Sequence, residues 1–184
     1  MDCIRHPPPV DATLVAVTYA YPWSDLITRY KFGNRPGWAP FFAHLLLGAV
    51  AVRPALEALQ ADDLILPMPL SAERLQSRGF NQAWTLTRAL ARQAATPARL
   101  DAKLLLRVKH TQPQTSLHRE ARLANVRNAF QVDPLRAHVL TGRRVVLVDD
   151  VMTSGASLFT AAEALRAAGA AHITAIALAR TSAT

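Results

Sequence analysis

A chain of 184 residues is long enough for one domain with a full hydrophobic core, and two large domains are not expected. Hydrophobic residues make up 51% of the sequence, which excludes disorder over most of its length. The formal net charge of +8 favours polyanionic partners, either nucleic acid or phosphorylated small molecules, without distinguishing between them. Cys3 is the single cysteine, so the sequence excludes a disulfide within the chain and a zinc site built from several cysteines.

The N-terminal residues carry no signature of secretion, because no basic region precedes an apolar run there. The most apolar stretch, residues 41–52, is shorter than the roughly 20 residues that a membrane helix needs. Together with the single cysteine, these features predict a soluble cytoplasmic protein.

Strand-like and helix-like patterns alternate in the first third of the chain. Residues 13–20 are predicted to form a strand that is apolar on both faces. A short helix is predicted over residues 22–30, with Ser24 as its N-cap. A long helical stretch over residues 38–60 is expected to break or restart at Pro54.

The next predicted strand covers residues 64–66. Asp62 and Asp63 precede it, at the end opposite the ligand-binding edge of an α/β sheet, so a solvated turn is expected for them. Further along, Asn81 is predicted to cap a helix over residues 82–95.

A polar and basic segment follows that helix. Short strands are predicted at residues 104–106 and 129–132, the second of them at a sheet edge. Residues 110–117, between them, have the composition of a mobile loop, and loops of this length are usually functional or disordered. The alternation of strands and helices along the chain indicates an α/β architecture.

The most informative segment is an apolar run that ends in Asp149 and Asp150 and is followed by a loop of small residues. Residues 158–168 have the spacing of a helix face, with Gly169 at the C-terminal cap, and residues 173–179 are predicted to form another strand. Strand, loop, helix and strand in this order form a crossover whose loop lies at the carboxyl edge of a parallel sheet. That edge is where α/β proteins bind ligands.

Two adjacent carboxylates at such an edge have several chemical uses. They can bind a divalent cation, accept hydrogen bonds from paired hydroxyls, or supply a nucleophile. The loop over residues 153–157 has small side chains, hydroxyl donors, a glycine and a helix N-terminus directly after it, which are the features of an anion site. A phosphate in this loop would place a sugar over Asp149 and Asp150. The sequence contains neither a dinucleotide-binding glycine motif nor a Walker loop.

Residues 146–157 resemble the phosphoribosyl-pyrophosphate (PRPP) signature of type I phosphoribosyltransferases, in which two aspartates precede a Thr-Ser-Gly loop. Residues 66–70, residues 78–82 (Arg-Gly-Phe-Asn-Gln) and residues 112–117 resemble the ComF/GntX competence-protein family, and the similarity extends over nearly the whole chain. That family usually carries a four-cysteine zinc module ahead of this region. Only Cys3 remains here, so no zinc site is expected.

This resemblance implies an α/β fold of the type I phosphoribosyltransferase kind, with a mostly parallel twisted sheet flanked by helices and a small N-terminal hood. The expected organisation is an extended N-terminal remnant over residues 1–12 and a phosphoribosyltransferase-like domain over residues 13–184. Within this domain, the hood is expected over residues 13–60 and the core over residues 61–184.

The resemblance also implies roles for individual residues. Asp149 and Asp150 would hold the ribose hydroxyls, while Arg119 and Arg122 belong to a basic loop that would close over the site. The residues expected to hold the 5-phosphate are Thr153, Ser154, Gly155, Ala156 and Ser157, and Val151 and Met152 just before them are also expected to belong to the ligand-binding segment. The residues expected to meet the pyrophosphate are Met68, Pro69 and Leu70, with Arg74 or Arg78 nearby. Magnesium would arrive with PRPP and take most of its ligands from PRPP and water, so no metal site made by the protein is expected.

The acceptor is not predicted, because the expected hood shows no purine- or pyrimidine-reading pattern. Tyr30, Lys31, Phe32 and Trp38 are candidates for an acceptor pocket, although packing is the favoured role for each. Three functions stay open: an active phosphoribosyltransferase, a non-catalytic sensor of PRPP or nucleotides, and a single-stranded-DNA-handling protein that works with a helicase-type partner in natural transformation. A homodimer is expected by analogy with the fold.

Overall fold

The computed structural model describes residues 8–33, 36–108 and 129–182. The strands are β1 (Ala12–Thr18), β2 (Leu64–Pro67), β3 (Arg99–Leu100), β4 (Leu105–Arg107), β5 (Phe130–Val132), β6 (Arg144–Met152) and β7 (His172–Arg180). The α-helices are α1 (Trp23–Phe32), α2 (Ala39–Gly48), α3 (Val52–Glu57), α4 (Ala72–Arg78), α5 (Gln82–Ala94) and α6 (Ala156–Ala167). Short 3-10 helices cover Pro36–Trp38 and Ala137–Leu140.

Five strands form one parallel sheet in the order β1-β7-β6-β2-β3. The central strand β6 pairs with β7 at Asp149↔Ala177 and with β2 at Leu66↔Leu147. Because all these strands run in the same direction, their carboxyl ends share one edge of the sheet. The predicted α/β fold, with a mostly parallel sheet flanked by helices, is confirmed.

Strands β4 and β5 form a separate antiparallel ribbon, with Leu105 opposite Val132. The short strands predicted at residues 104–106 and 129–132 are therefore present. In the described part of the chain they pair with each other rather than with an edge of the main sheet.

The apolar side chains of β6 alternate between two cores. Val145 and Leu147 face one core, which they share with Leu158 of α6. Val146 and Val148 belong to the opposite core, to which α1, α2 and α5 contribute the fully buried side chains of Ile27, Phe42, Leu86 and Leu90. Full burial of one such side chain contributes about 1.5–3 kcal/mol, so the central strand is held firmly between the two helical layers.

The predicted N-terminal hood shares both sheet and core with the rest of the domain. Strand β1 pairs with β7 in the main sheet, and apolar residues of α1 and α2 lie in the same core as those of α5 and β6. The division of the domain at residue 60 stays a prediction. Residues 1–7 of the expected N-terminal remnant lie outside the described residues.

Two local predictions are wrong. Ser24 does not cap α1, because Pro22 occupies the N-cap position with helical backbone angles and Ser24 already lies in the first turn. Strand β6 does not end at Asp150, because Val151 and Met152 still pair with β7. The acids therefore lie inside the strand, with Asp150 two residues before its end.

Asp63 is also not the solvated residue that its position suggested. It is only 4% exposed, and its Oδ1 and Oδ2 atoms accept hydrogen bonds from the backbone N–H groups of Arg144 (2.9 Å) and Gln60 (2.8 Å). These bonds compensate the burial of the carboxylate and connect the start of β6 to the turn before β2. The exposed Asp62 does belong to a solvated turn, where it forms an ion pair with Arg143.

Among residues 8–33, 36–108 and 129–182, no helix combines the length and the hydrophobicity needed to cross a membrane.

Candidate functional site

Asp149 and Asp150 lie near the carboxyl end of the central strand. Asp149 is partly exposed and Asp150 is 7% exposed, and the backbone N–H of Asp150 donates a hydrogen bond to Oδ1 of Asp149 at 2.8 Å. Because the pairing of β6 with β7 continues to Met152, both acids are attached to a rigid part of the sheet. Both line the same cleft.

This cleft has a volume of about 550 Å³ and lies at the carboxyl edge of the sheet. It is bounded by α1, by the loop after β2 with α4, by the start of α5, and by β4 and β6. Its charged lining residues are Lys31, Arg74, Arg78, Arg107, Asp149 and Asp150. The volume is in the range of small-molecule sites, and four cations surround the two acids.

The predicted phosphate loop (residues 153–157) connects β6 to α6. Gly155 has φ +80° and is the N-cap of α6, and a Cβ atom there would lie 2.8 Å from the ring of Phe159. A residue with a side chain would be strained in this position, so glycine is required by both the backbone angle and the space. Thr153 and Ser157 line the cleft, and the first turn of the 12-residue helix α6 presents backbone N–H groups to the same region. A glycine turn, hydroxyl side chains and a helix N-terminus are features that anion-binding loops share.

Lys31 brings a positive charge to the acids from a different part of the chain. Its Nζ atom lies 2.9 Å from Oδ1 of Asp150, and the two side chains are 17% and 11% exposed. Lys31 lies in the last turn of α1, more than 100 residues before the acid that it contacts. The sequence analysis favoured a packing role for Lys31, and the structure places it in the cleft instead.

The electrostatic environment differs between the charged groups of the cleft. Burial and the neighbouring Asp150 carboxylate raise the pKa of Asp149 to about 7, whereas the positive charge of Lys31 acts in the opposite direction. Burial lowers the pKa of the Arg107 guanidinium, and the positive charge of Arg74 adds to this effect. An arginine remains charged despite such a shift, so Arg107 is still a cation at neutral pH.

The RGFNQ segment (residues 78–82) connects α4 to α5, and each of its residues has a defined structural role. Gly79, with φ +75°, ends α4 in the left-handed conformation. Phe80 packs edge-to-face against Tyr30. Asn81 caps α5 by accepting a hydrogen bond from the N–H of Trp84, as predicted, and its side-chain amide donates to the carbonyl of Met68 at 3.1 Å.

The remaining two residues of the segment connect it to α1. Gln82 is 1% exposed, and its side chain donates to the carbonyl of Lys31 (3.4 Å) and accepts from Arg78 (3.0 Å). The Arg78 guanidinium also lies 5.0 Å from the centre of the Phe32 ring. The segment thus holds the end of α1 against the cleft.

Most residues assigned to the site by resemblance meet around the cleft. The lining residues among them are Met68, Pro69, Leu70, Arg74, Arg78, Asp149, Asp150, Val151, Thr153 and Ser157. Met152, Ser154, Gly155 and Ala156 do not line it, although they shape the loop behind it, and Met152 is buried in the core. Arg119 and Arg122 lie outside the described residues, so their roles stay predictions.

The suggested acceptor residues divide into two groups. Lys31 and Phe32 line the cleft, and Phe32 is 68% exposed. Tyr30 is fully buried, with its hydroxyl donating to the carbonyl of Gln82, and Trp38 lies away from the cleft. Arg107 was missed by the sequence analysis, because nothing in its local sequence indicates that β4 reaches the carboxyl edge.

Within the described ranges, no group of three or more His, Cys, Asp or Glu side chains is arranged to hold a metal ion.

Comparison with known proteins identifies the class to which this fold and site belong. The family model for the phosphoribosyl transferase domain matches residues 81–184, more than half of the chain. The chain therefore belongs to the phosphoribosyltransferase-domain family. Within it, the chain belongs to the ComF group of competence proteins, as the following relatives show.

The chain is 34% identical over 180 residues to the DNA utilization protein YhgH of Escherichia coli O6:H1, covering 97% of this chain and 76% of the relative. It is 35% identical over 179 residues to competence protein F of Haemophilus influenzae, covering 97% and 77%. It is 30% identical over 102 residues to competence protein ComFC of Bacillus subtilis, covering 55% and 38%.

Among solved structures, an allosteric regulatory enzyme of purine biosynthesis aligns with 82% of this chain and 30% of its own, with 18% identity and a TM-score of 0.44. An alanine mutant from a study of an invariant aspartic acid in HPRTs aligns with 86% of this chain and 68% of its own, with 15% identity and a TM-score of 0.39.

Proposed function

We propose that this phosphoribosyltransferase-domain competence protein binds PRPP together with Mg²⁺ in the cleft and transfers the 5-phosphoribosyl group to an acceptor. One observation carries the proposal: two carboxylates, an anion-binding loop and four cations border a single cleft of about 550 Å³. This arrangement matches the chemistry of a ligand with a diol in the middle and phosphates on both sides.

Each part of the ligand has a complementary part of the cleft. Asp149 and Asp150 would accept hydrogen bonds from the ribose hydroxyls. The phosphate loop, followed by the N-terminus of α6, would bind the 5-phosphate. The pyrophosphate would lie near the loop that follows β2, where Arg74, Arg78 and Arg107 line the cleft.

The residues present are compatible with a magnesium ion carried by the ligand. Asp149 and Asp150 are the acidic side chains that line the cleft, and Asp150 is already paired with Lys31. An ion there would take most of its oxygen ligands from pyrophosphate, ribose and water, as Mg²⁺ commonly does. The ion would supply neutralisation of the phosphate charges.

The protein's contribution to transfer would be positioning and electrostatic stabilisation. The bond from the anomeric carbon to the pyrophosphate oxygen breaks and pyrophosphate leaves with the electron pair. The acceptor supplies the pair for the new bond and releases its proton to solvent. Negative charge grows on the pyrophosphate, so the arginines near it would bind the transition state more tightly than the substrate. One well-placed group of this kind contributes about 3 kcal/mol.

Calorimetric titration with PRPP and Mg²⁺ tests the proposal. The wild-type protein should bind, and the double variant Asp149→Asn/Asp150→Asn should bind at least about tenfold more weakly, because the amides accept hydroxyl bonds less strongly than the carboxylates. The matched control is Asp25→Asn/Glu163→Gln, which removes two exposed acids outside the cleft. Equal affinity for the wild type and the first double variant, or no binding by the wild type, would contradict the proposal.

A second measurement separates transfer from binding. Release of pyrophosphate in the presence of a panel of nucleobases would support the transferase. Tight binding without release from any acceptor would favour the non-catalytic sensor of PRPP or nucleotides.

The names of the relatives and the charge of the chain favour a second function beside ligand binding. Both a DNA utilization protein and competence proteins align with this chain, and its net charge of +8 attracts the phosphate backbone. We therefore propose single-stranded DNA as a macromolecular partner, with a helicase-type protein as a further partner.

A further inference from the structure

We propose that Lys31 is a positioning residue for the ribose hydroxyls: it fixes one oxygen of Asp150 so that the other oxygen is presented to the ligand, and the RGFNQ segment holds Lys31 in place. This inference rests on the proposed function, because it assigns Lys31 a role toward the phosphoribosyl ligand. It concerns a residue outside both the PRPP signature and residues 81–184, the part matched by the family model.

The contact between Lys31 and Asp150 is close and largely shielded from water. Nζ and Oδ1 are 2.9 Å apart, and both side chains are less than one fifth exposed. A pair in such surroundings interacts more strongly than an exposed ion pair, and removal of one partner leaves the other charge uncompensated. Lys31 also lies in the last turn of α1, where the helix dipole favours a positive charge.

The RGFNQ segment contacts three consecutive residues at the end of α1. The Tyr30 hydroxyl donates to the carbonyl of Gln82 at 2.8 Å, and the Gln82 side chain donates to the carbonyl of Lys31. The Arg78 guanidinium lies over the Phe32 ring. Because Gln82 is also bonded to Arg78, these contacts form one connected network. The network fixes the backbone of Lys31, and the contact with Asp150 already restricts its side chain, so little rotamer freedom would be lost when a ligand binds.

The charge of the ligand determines the sign of the effect. Two carboxylates beneath the ribose would repel the phosphates on either side of it. The ammonium group of Lys31 neutralises one of these charges at a distance of 2.9 Å. Loss of Lys31 should therefore weaken ligand binding, even though it removes an existing partner of Asp150.

Binding of three ligands distinguishes this role from a general electrostatic effect. In Lys31→Met, calorimetry should show that affinity for ribose 5-phosphate and for PRPP with Mg²⁺ falls about tenfold or more. Affinity for inorganic pyrophosphate should fall clearly less than affinity for ribose 5-phosphate, because pyrophosphate has no diol and loses only the charge neutralisation. The control is Arg29→Met, which removes one positive charge from an exposed position on the same helix, outside the cleft.

Two further variants test whether Lys31 acts through Asp150. Lys31→Arg keeps the charge and should retain affinity within about threefold, because the guanidinium can still contact the carboxylate. In the Asp150→Asn background, Lys31→Met should weaken binding of ribose 5-phosphate by much less than in the wild type. If thermal melting shows that Lys31→Met is unstable, the same measurements are made on Lys31→Gln instead.

The outcomes separate this inference from the proposed function. If the wild type binds PRPP but Lys31→Met binds all three ligands as Arg29→Met does, the positioning role is wrong and the proposed function stands. Additive losses in the Asp150→Asn background would also overturn it. If the wild type binds neither PRPP nor ribose 5-phosphate, the proposed function fails and the inference fails with it.

Discussion

Asp149 and Asp150 are neighbours in sequence, yet the structure gives them different surroundings. Asp150 is paired with Lys31 at 2.9 Å, whereas Oδ1 of Asp149 accepts a hydrogen bond from the backbone N–H of Asp150. Burial and the charge of Asp150 raise the pKa of Asp149 to about 7. These two acids therefore carry less negative charge than two fully ionised carboxylates, which would reduce repulsion of the phosphates of the proposed ligand.

The raised pKa of Asp149 predicts a dependence of stability on pH. The unfolded chain ionises this carboxyl near pH 3.8 and the folded protein only near pH 7, so the folded state binds more protons between these values. Its stability contribution is therefore present at low pH and decreases as pH rises from about 4 to about 7. Asp149→Asn should stabilise the protein by about 1–3 kcal/mol at pH 8 and by little at pH 4.

Thermal melting of the wild type and the variant at both pH values checks this prediction. The difference between the two proteins is the relevant quantity, since other groups also titrate in this range. Asp25→Asn, at an exposed site, serves as the control. A stabilisation that is the same at pH 4 and pH 8 would contradict the assigned cause.

At the scale of elements, the RGFNQ segment connects three parts of the structure. Asn81 bonds both to the first turn of α5 and to the loop after β2, and Gln82 bonds to the end of α1. The segment thus brings the cations of α1 and α4 to the acids of β6. Most residues of the segment have a structural role, and the arrangement of side chains around the cleft depends on their contacts.

Asn81→Ala should destabilise the protein by about 1–3 kcal/mol, because it removes both a helix cap and a bond to the carbonyl of Met68. Ser71→Ala is the matched comparison, since Ser71 caps the neighbouring helix α4. The loss in Asn81→Ala should exceed that in Ser71→Ala, as measured by urea unfolding. Equal losses would mean that the bond to Met68 contributes nothing.

Structural elements could be predicted from the sequence where the residues that determine them lie within a few positions of one another. The cap at Asn81, the glycine after α6 and the strand–loop–helix–strand unit around Asp149 all follow from short-range rules. The N-cap role predicted for Ser24 was wrong because Pro22 takes that position and the helix already begins at Trp23.

Features that depend on the packing of distant segments were not predictable from sequence. Asp63 is buried because β2 lies directly beside β6, which brings the backbone of Arg144 to its carboxylate. The contacts of Lys31 and Arg107 with the cleft likewise require the positions of α1 and β4 relative to β6. The pattern of residues 146–157 predicted that the two acids and the loop after them lie at one edge of the sheet, but it contained no information on the cations that face them.

At the scale of the whole molecule, the positive charge predicts how DNA binding should respond to salt. Binding to a phosphate backbone releases counterions, and each neutralised phosphate of a single strand adds about 0.7 to the slope of log affinity against log salt concentration. With a net charge of +8, affinity for a single-stranded oligonucleotide should fall with a slope of about −2 or steeper.

Fluorescence anisotropy at several salt concentrations measures this slope. An uncharged peptide nucleic acid of the same base sequence is the control ligand and should bind weakly at every salt concentration. Affinity for DNA that does not change with salt would exclude backbone binding as the basis of the proposed DNA function.

The position of β2 inside the sheet limits how this protein can be shortened. The family model begins at residue 81, but β2 ends at residue 67 and lies between β6 and β3. A fragment cut at residue 81 would lose an interior strand, one wall of the cleft and Lys31, and it would expose the hydrogen-bonding edge of β6 to solvent and to other chains. The boundary recognised by sequence similarity is therefore not a boundary of folding, and half of the charged cleft is encoded upstream of it.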